Sequence, residues 1–302
     1  MKVFFKSIFV FVSPVVFGII ILFISSALLS KSIIKNSNQY EIDKNIDLIF
    51  LGDSHMTFAI IDSLIPKSSN QATIAEPYYY TFQKLKFIVQ NNNIKKVVLA
   101  VGYHNISDYY DHLINGNLST VFPKKIFFSL DFLEKLRVLN WNKNKLFLVL
   151  NEIINSAFSK FSDLDSKNRI YRFSDGYYNT LTDQMALLES VQKRVKSQFF
   201  SNEYQKNNYS DFNIKYLKKI IKFCFKNDIE IILIKTPLHS NYLNLVPNDF
   251  KSKLNKIVFE SNAKLINLEK LPLSDSCFAN DGDHLTIKGA KLVTDRLIKI
   301  LK

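Results

Sequence analysis

The chain has 302 residues, enough for one large α/β domain together with a membrane segment or a sizeable insertion. Its 40 Lys and Arg residues against 27 Asp and Glu residues give a formal net charge of +13, but the lysines are scattered, and no basic stripe or recognisable module indicates a nucleic-acid-binding protein. The two cysteines, Cys224 and Cys277, lie far apart and lack the spacing of metal ligands.

Residues 1–31 predict a membrane anchor. The sequence between Lys6 and Lys31 contains no charged residue, and a run of this length suits a helix that spans a bilayer. A secretory signal peptide would have a shorter apolar core, although residues 25–27 offer a cleavage site, so cleavage stays open. Residues 32–45 then predict a polar linker.

A single α/β domain is expected over residues 46–302. It begins with a strand that is followed closely by a serine. Residues 46–51 form a short apolar run without alternation, which is typical of a parallel strand covered on both faces. Gly52 permits a tight exit from this strand. Ser54 therefore lies at the carboxyl end of the strand, where ligands bind in open parallel sheets.

A second strand over residues 71–75 and a helix over residues 78–90 are predicted next. Three consecutive tyrosines open this helix. Tyr78 is a candidate contact for a sugar ring, whereas one or two of the three tyrosines are expected to lie in the core.

Residues 97–102 predict the third strand, which is followed by Tyr103, His104 and Asn105. An Asn or His side chain at this edge can point an N–H group at a developing negative charge. Asn105 is the preferred donor, with His104 as the second choice and as a candidate substrate contact. The alternative is that Asn105 only ends the strand as a turn former.

Residues 106–210 do not alternate between strands and helices, and they predict a mostly helical insertion. Placed over the carboxyl ends of the strands, it could serve as a lid or as an acceptor-binding surface. Its apolar residues at helical spacing predict a helix that faces the core; they are Phe127, Leu130, Leu133 and Leu136.

Regular alternation returns after the insertion. Strands are predicted at residues 229–234 and 264–268, and helices near residues 211–225, 250–261 and 287–301. Five strands separated by helices predict a three-layer α/β/α sandwich with a mostly parallel sheet. His239 follows the fourth strand and is a candidate substrate contact, and a surface-loop histidine is an equally good interpretation.

The loop before the last helix could supply both a base and the acid that orients it. Asp281 lies three residues before His284, and Asp283 is a rival that is less suited because it is adjacent to the histidine. A serine needs such a pair to become a good nucleophile. The alternative is that residues 52–54 form an ordinary turn and that Asp283 caps the last helix.

The Gly-Asp-Ser turn at residues 52–54 and the Asp-x-x-His block at residues 281–284 together resemble the GDSL/SGNH hydrolase family. The resemblance covers the frame of the domain but not its insertion. It implies a flavodoxin-like fold in which Ser54 is the nucleophile, His284 the general base and Asp281 the residue that orients the base.

The same resemblance implies an oxyanion hole built from the Ser54 backbone N–H, the Asn105 side chain and a second backbone N–H. The family has a glycine at the place of this second donor, where the present chain has Ala75 followed by Glu76. The third family block is Gly-x-Asn, and the present chain has one extra residue before Asn105. Ala75 or Glu76 could still serve, because the chemistry needs the amide and not the side chain.

The function expected from these residues is a serine esterase that removes acyl groups, chiefly acetyl, from an envelope or extracellular polysaccharide. The anchor would hold it at the inner membrane with the domain on the periplasmic side, and no metal or other cofactor is required. One alternative is an O-acyltransferase, which would need a membrane partner that delivers the acyl group. Another is a non-catalytic glycan-binding or assembly protein. A basic surface would suit an acidic polysaccharide or anionic lipid.

Overall fold

The computed structural model of the protein describes the following residues: 6, 9–14, 16–18, 21, 42–116, 118–162, 174–182, 184–201 and 205–301. Most of the predicted anchor at residues 1–31 and most of the predicted linker at residues 32–45 lie outside this set. Among the described residues, no helix has both the length and the hydropathy that a membrane crossing requires.

Five parallel strands form one sheet at the centre of the domain. They are β1 (Leu48–Leu51), β2 (Ser68–Asn70), β3 (Lys96–Ala100), β4 (Glu230–Lys235) and β5 (Lys264–Asn267). The strands lie in the order β2-β1-β3-β4-β5. In a doubly wound sheet with this order, ligands bind at the carboxyl ends of β1 and β3, where the order reverses. The predicted α/β class with a five-stranded parallel sheet is confirmed.

Helices cover both faces of the sheet. They are α1 (Ser54–Ala59), α2 (Tyr78–Asn91), α3 (Pro123–Ile126), α4 (Phe132–Trp141), α5 (Leu146–Ser162), α6 (Leu188–Phe199), α7 (Asp211–Lys226), α8 (Ser240–Leu245), α9 (Asn248–Glu260) and α10 (Ile287–Leu301). Alternate side chains of β1 enter two separate cores, because successive residues of a strand point to opposite faces. Ile49 packs with α2, α7 and α9, whereas Phe50 packs with α1 and α10.

The second strand lies earlier than predicted. Residues 71–75 were expected to form it, but the paired strand is β2, and the following residues continue beside the exit from β1. There the Thr73 N–H donates to the Gly52 carbonyl at 3.1 Å. The extended run ends at Ala75, whose φ of +57° lies in the left-handed region.

The insertion is helical as predicted, but the phase of one helix differs from the prediction. Phe127–Ser129 is a short 3₁₀ helix, and α4 begins only after Asp131, whose side chain accepts the Glu134 N–H at 2.9 Å. This cap restarts the helix in a new phase. As a result Leu133, predicted to face the core, is 69% exposed.

The close packing of α10 against Cys277 predicts how adding a small side chain at Gly289 would change the stability of the protein. A Cβ added at Gly289 would lie 2.3 Å from the carbonyl oxygen of Cys277, which like Cys224 is a free, buried thiol. Alanine normally stabilises a helix interior relative to glycine by about 1 kcal/mol. Here the clash reverses the sign, and we expect Gly289→Ala to lower the free energy of unfolding by about 1–3 kcal/mol in denaturant titrations.

The control is Lys291→Ala, an exposed position two residues further along α10. It should change the free energy of unfolding by less than about 0.5 kcal/mol. Equal effects of the two substitutions would contradict close packing at Gly289.

Candidate active site

Ser54, His284 and Asp281 form one hydrogen-bonded chain. The Ser54 Oγ is 2.8 Å from His284 Nε2, and His284 Nδ1 is 2.7 Å from Asp281 Oδ2. Ser54 begins α1 at the carboxyl end of β1, and the other two residues lie in the loop before α10. The fold thus brings together two segments that are 230 residues apart, in the arrangement of a nucleophile, a base and the group that orients the base.

The loop geometry fixes Asp281 as the partner of His284. The Oδ1 of Asp281 accepts the backbone N–H groups of Asp283 at 3.0 Å and of His284 at 3.1 Å, which leaves Oδ2 for the imidazole. Burial alone would raise the pKa of Asp281, but the hydrogen bond from His284 and the charges of His284 and Arg194 together outweigh burial and lower it. The carboxylate therefore stays ionised and can hold the imidazole in one tautomer.

Asp283 has a different set of partners and is buried. Its Oδ2 accepts Arg194 Nε at 2.6 Å and Gln198 Nε2 at 3.0 Å, and its Oδ1 lies 2.8 Å from His55 Nε2. Burial raises the pKa of Asp283, but the charges of His55 and Arg194 together lower it well below its usual range. Asp283 neither orients His284 nor caps α10, where the Thr286 hydroxyl accepts the N–H of Gly289 in the first turn.

Asp53, the residue before the serine, is a buried acceptor for the segment that follows β3. Its Oδ2 lies 2.7 Å from each of three side-chain atoms, namely His104 Nε2, Asn105 Nδ2 and the Tyr110 hydroxyl. Its Oδ1 accepts the His55 N–H at 3.0 Å. Burial raises the pKa of Asp53, but His104 and the other donors outweigh burial and lower it. The carboxylate stays charged because hydrogen bonds surround it.

Two of the three predicted oxyanion donors are backbone N–H groups, and the third is a side-chain amide. Among the described residues, no acceptor meets the backbone N–H of Ser54 or of Ala75. The Asn105 side chain, in contrast, donates to Asp53, and its Oδ1 accepts the Gly102 N–H at 2.8 Å. Its role at the oxyanion stays a prediction, while its observed role is to join two loops.

The three residues predicted as substrate contacts are buried, and the structure uses their polar atoms internally. Tyr78 is 2% exposed, and its hydroxyl donates to the Ala100 carbonyl at 3.0 Å. His104 contacts Asp53, as described above. The ring of His239 accepts the Asn241 N–H at the start of α8. Buried polar groups need partners, and these three residues therefore support the site from within.

Sequence reasoning missed His55 and the inserted residues that surround the triad. His55 follows the serine directly, and its ring centroid lies 4.3 Å from that of His104 and 5.5 Å from that of His284. A usable signal was present, since Asp53 and His55 flank Ser54 in the sequence and Asp283 directly precedes His284. The contribution of Arg194 left no local signal, because it depends on a contact across 89 positions.

Comparisons with known proteins give little further information. A family model without a functional description matches residues 159–301, and no curated protein matches the sequence. A solved structure from Streptococcus pneumonia, described as a proposed platelet activating factor, is 12% identical, with 95% of this chain and 99% of that chain covered at a TM-score of 0.44. A similarity at this TM-score carries no inference about fold or function.

The buried pair of His55 and Asp283 predicts how stability depends on pH. Burial lowers the pKa of His55, but the hydrogen bond and charge of the Asp283 carboxylate, together with the charge of Asp53, outweigh burial and raise it above the ordinary value of 6.5. A raised pKa means that the pair stabilises the fold fully below about pH 6.5, and that this stabilisation is lost as the pH rises through the folded-state pKa. We expect His55→Gln to lower the free energy of unfolding by about 3 kcal/mol at pH 6 and by less at higher pH.

Denaturant unfolding between pH 5.5 and pH 9 would test this expectation. The control is His112→Gln, which replaces an exposed histidine and should leave the slope of stability against pH unchanged. If the His55→Gln variant kept the slope of the wild-type protein, the ion pair would not be its source.

Proposed function

We propose that the protein is a serine esterase of the GDSL/SGNH hydrolase family that acts on acyl esters of carbohydrate, chiefly acetyl esters. The observation that carries this proposal is the hydrogen-bonded chain from Ser54 through His284 to Asp281. Its place at the carboxyl end of β1, beside the reversal of strand order, supports a substrate site there. The flavodoxin-like order of the sheet is also what the family resemblance implies.

In the proposed reaction, His284 Nε2 takes the hydroxyl proton of Ser54 while Oγ attacks the acyl carbonyl carbon. Asp281 keeps the proton on Nδ1 and stabilises the imidazolium that forms. His284 then gives its proton to the departing sugar oxygen, which leaves an acyl group on Ser54. A water molecule, deprotonated by His284, releases the acid and restores the serine.

The backbone N–H groups of Ser54 and Ala75 are the donors that we assign to the oxyanion of the tetrahedral intermediate. Preorganised donors of this kind stabilise charge that develops only during the reaction, and the loss of one donor costs about 100- to 1,000-fold in kcat. Asn105 supports these donors through its bond to Asp53, and its own role as a third oxyanion donor stays a prediction. No metal or other cofactor has a step in this reaction.

A carbohydrate substrate is supported by aromatic side chains beside the triad. The ring centroid of Phe58 lies 5.0 Å from that of His284. Tyr178, whose backbone N–H donates to Thr57 in α1, is 43% exposed. Flat aromatic surfaces with a polar edge suit sugar rings. The net charge of +13 would favour an acidic glycan.

The membrane location also belongs to the proposal. The described residues near the N-terminus include Phe9, Phe11 and Phe17, which are helical and exposed. Exposed phenylalanines on a helix favour apolar surroundings. We therefore retain an anchor in the inner membrane with the domain on the periplasmic side.

Removal of the serine hydroxyl tests the reaction directly. We expect Ser54→Ala to lower kcat for p-nitrophenyl acetate and for an acetylated polysaccharide by at least about 1,000-fold, because the nucleophile is lost. A fluorophosphonate probe should label the wild-type protein at Ser54 and leave the variant unlabelled, as shown by peptide mass spectrometry. The matched control is Ser197→Ala, an exposed serine on α6, which should keep full activity.

The acceptor decides between hydrolysis and transfer. Ser54-dependent release of acetate into water would support the esterase, whereas acetylated glycan formed only with an added sugar acceptor would favour the O-acyltransferase and its membrane donor partner. Absence of both turnover and labelling would contradict the triad and favour a glycan-binding or assembly protein.

A further inference from the structure

A short part of the insertion lies against the segments that form the proposed active site. We name residues 174–182 the strap. The Asp175 N–H donates to the Ala72 carbonyl at 3.0 Å, and the Tyr178 N–H donates to the Thr57 carbonyl at 3.2 Å. The strap therefore joins the loop after β2 to the helix that carries the serine.

The side chain of Asp175 makes a second, more specific link to the loop after β2. Its Oδ2 accepts the backbone N–H of Ile74 at 2.8 Å, and its Oδ1 accepts Lys125 Nζ at 3.1 Å. Each carboxylate oxygen thus has a donor. The ion pair with Lys125 in α3 holds the carboxylate in place for the backbone amide.

The residue that follows Ile74 has a backbone conformation that its side chain disfavours. Ala75 has a φ of +57°, a left-handed conformation that is unfavourable for an L-residue other than glycine. The next residue is fixed in turn, because the buried Glu76 carboxylate lies 2.6 Å from Lys84 Nζ. Ala75 is therefore held between two anchored neighbours, and strained residues persist where the surroundings determine them in this way.

The segment that contains Ala75 is hydrogen-bonded to the turn that leads to Ser54. The bond from the Thr73 N–H to the Gly52 carbonyl aligns the two segments. Two residues beyond this bond come Ala75 on one segment and Ser54 on the other. The Ala75 N–H meets no acceptor within the part of the chain that the structure describes.

We propose that Asp175 is a positioning residue that holds the Ala75 N–H in the oxyanion hole. This inference rests on the proposed function. Glycine would enter the left-handed region without strain, whereas alanine needs an external restraint, and the bond from Ile74 to Asp175 supplies it. The insertion thus takes part in the reaction through the geometry of a backbone donor.

Kinetics of three variants would test this role. Asp175→Ala should lower kcat by about 30-fold and change KM by less than about threefold, because a displaced donor affects the transition state more than substrate binding. Asp175→Asn keeps an oxygen for the Ile74 N–H, and we expect it to lose less than about fivefold. In the Ala75→Gly background the loss caused by Asp175→Ala should shrink to about threefold, because glycine needs no restraint.

The matched control is Asp249→Ala, which also removes a carboxylate paired with a lysine, Lys206, at 2.7 Å, and has no contact with the loop after β2. It should leave kcat unchanged. An equal loss of kcat in Asp249→Ala and Asp175→Ala, or no effect of the Ala75→Gly background, would overturn the positioning role.

Amide hydrogen exchange separates this inference from the proposed function, because it needs no turnover. In Asp175→Ala, peptides that cover residues 72–76 should exchange at least about tenfold faster than in the wild-type protein, while peptides of β3 stay unchanged. Unchanged exchange at residues 72–76 would overturn the positioning role even if the enzyme is active. Lack of esterase activity in the wild-type protein would overturn the proposed function and the oxyanion role of Ala75 together.

Discussion

The buried carboxylate of Asp53 is the constraint on which the active-site geometry depends. A charge removed from water is tolerated only when hydrogen bonds surround it, and three side chains of residues 104–110 converge on its Oδ2. Asp53 lies between the glycine that follows β1 and the serine that begins α1. The turn that presents Ser54 is therefore fixed to the segment after β3, and the two cannot separate without leaving a charge unpaired.

The ion pair of His55 and Asp283 provides the second link, and breaking it by removing one partner costs more than the neighbouring hydrogen bond contributes. A neutral hydrogen bond such as that between Ser54 and His284 contributes about 1 kcal/mol. Removing one partner of a buried ion pair costs about 3–5 kcal/mol. Since His55 and Asp283 are the chain neighbours of Ser54 and His284, the buried pair sets the register of the two loops, and the proposed catalytic bond follows from it.

Local patterns in the sequence located four of the five strands and the three residues of the hydrogen-bonded chain, because each of these depends on a short stretch of sequence. Apolar runs marked the strands, and two acid-containing motifs marked Ser54, Asp281 and His284. Contacts between distant residues were not predictable in this way. Tyr78 was predicted to contact a sugar ring, but its hydroxyl is buried and donates to the Ala100 carbonyl. The hydrogen bond from the Ile74 N–H to Asp175 joins residues 101 positions apart, so no local sequence pattern could predict it.

The insertion was expected to serve as a lid or as an acceptor-binding surface, and its contacts also make it a support of the proposed site. It supplies Tyr110 to the carboxylate of Asp53 and Arg194 to that of Asp283. Loss of these donors would leave two buried carboxylates with fewer partners, at a cost that a domain of ordinary stability does not tolerate. Substrate preference can therefore change through exposed side chains such as Tyr178, whereas exchange of the whole insertion would remove the charges that hold the nucleophile in place.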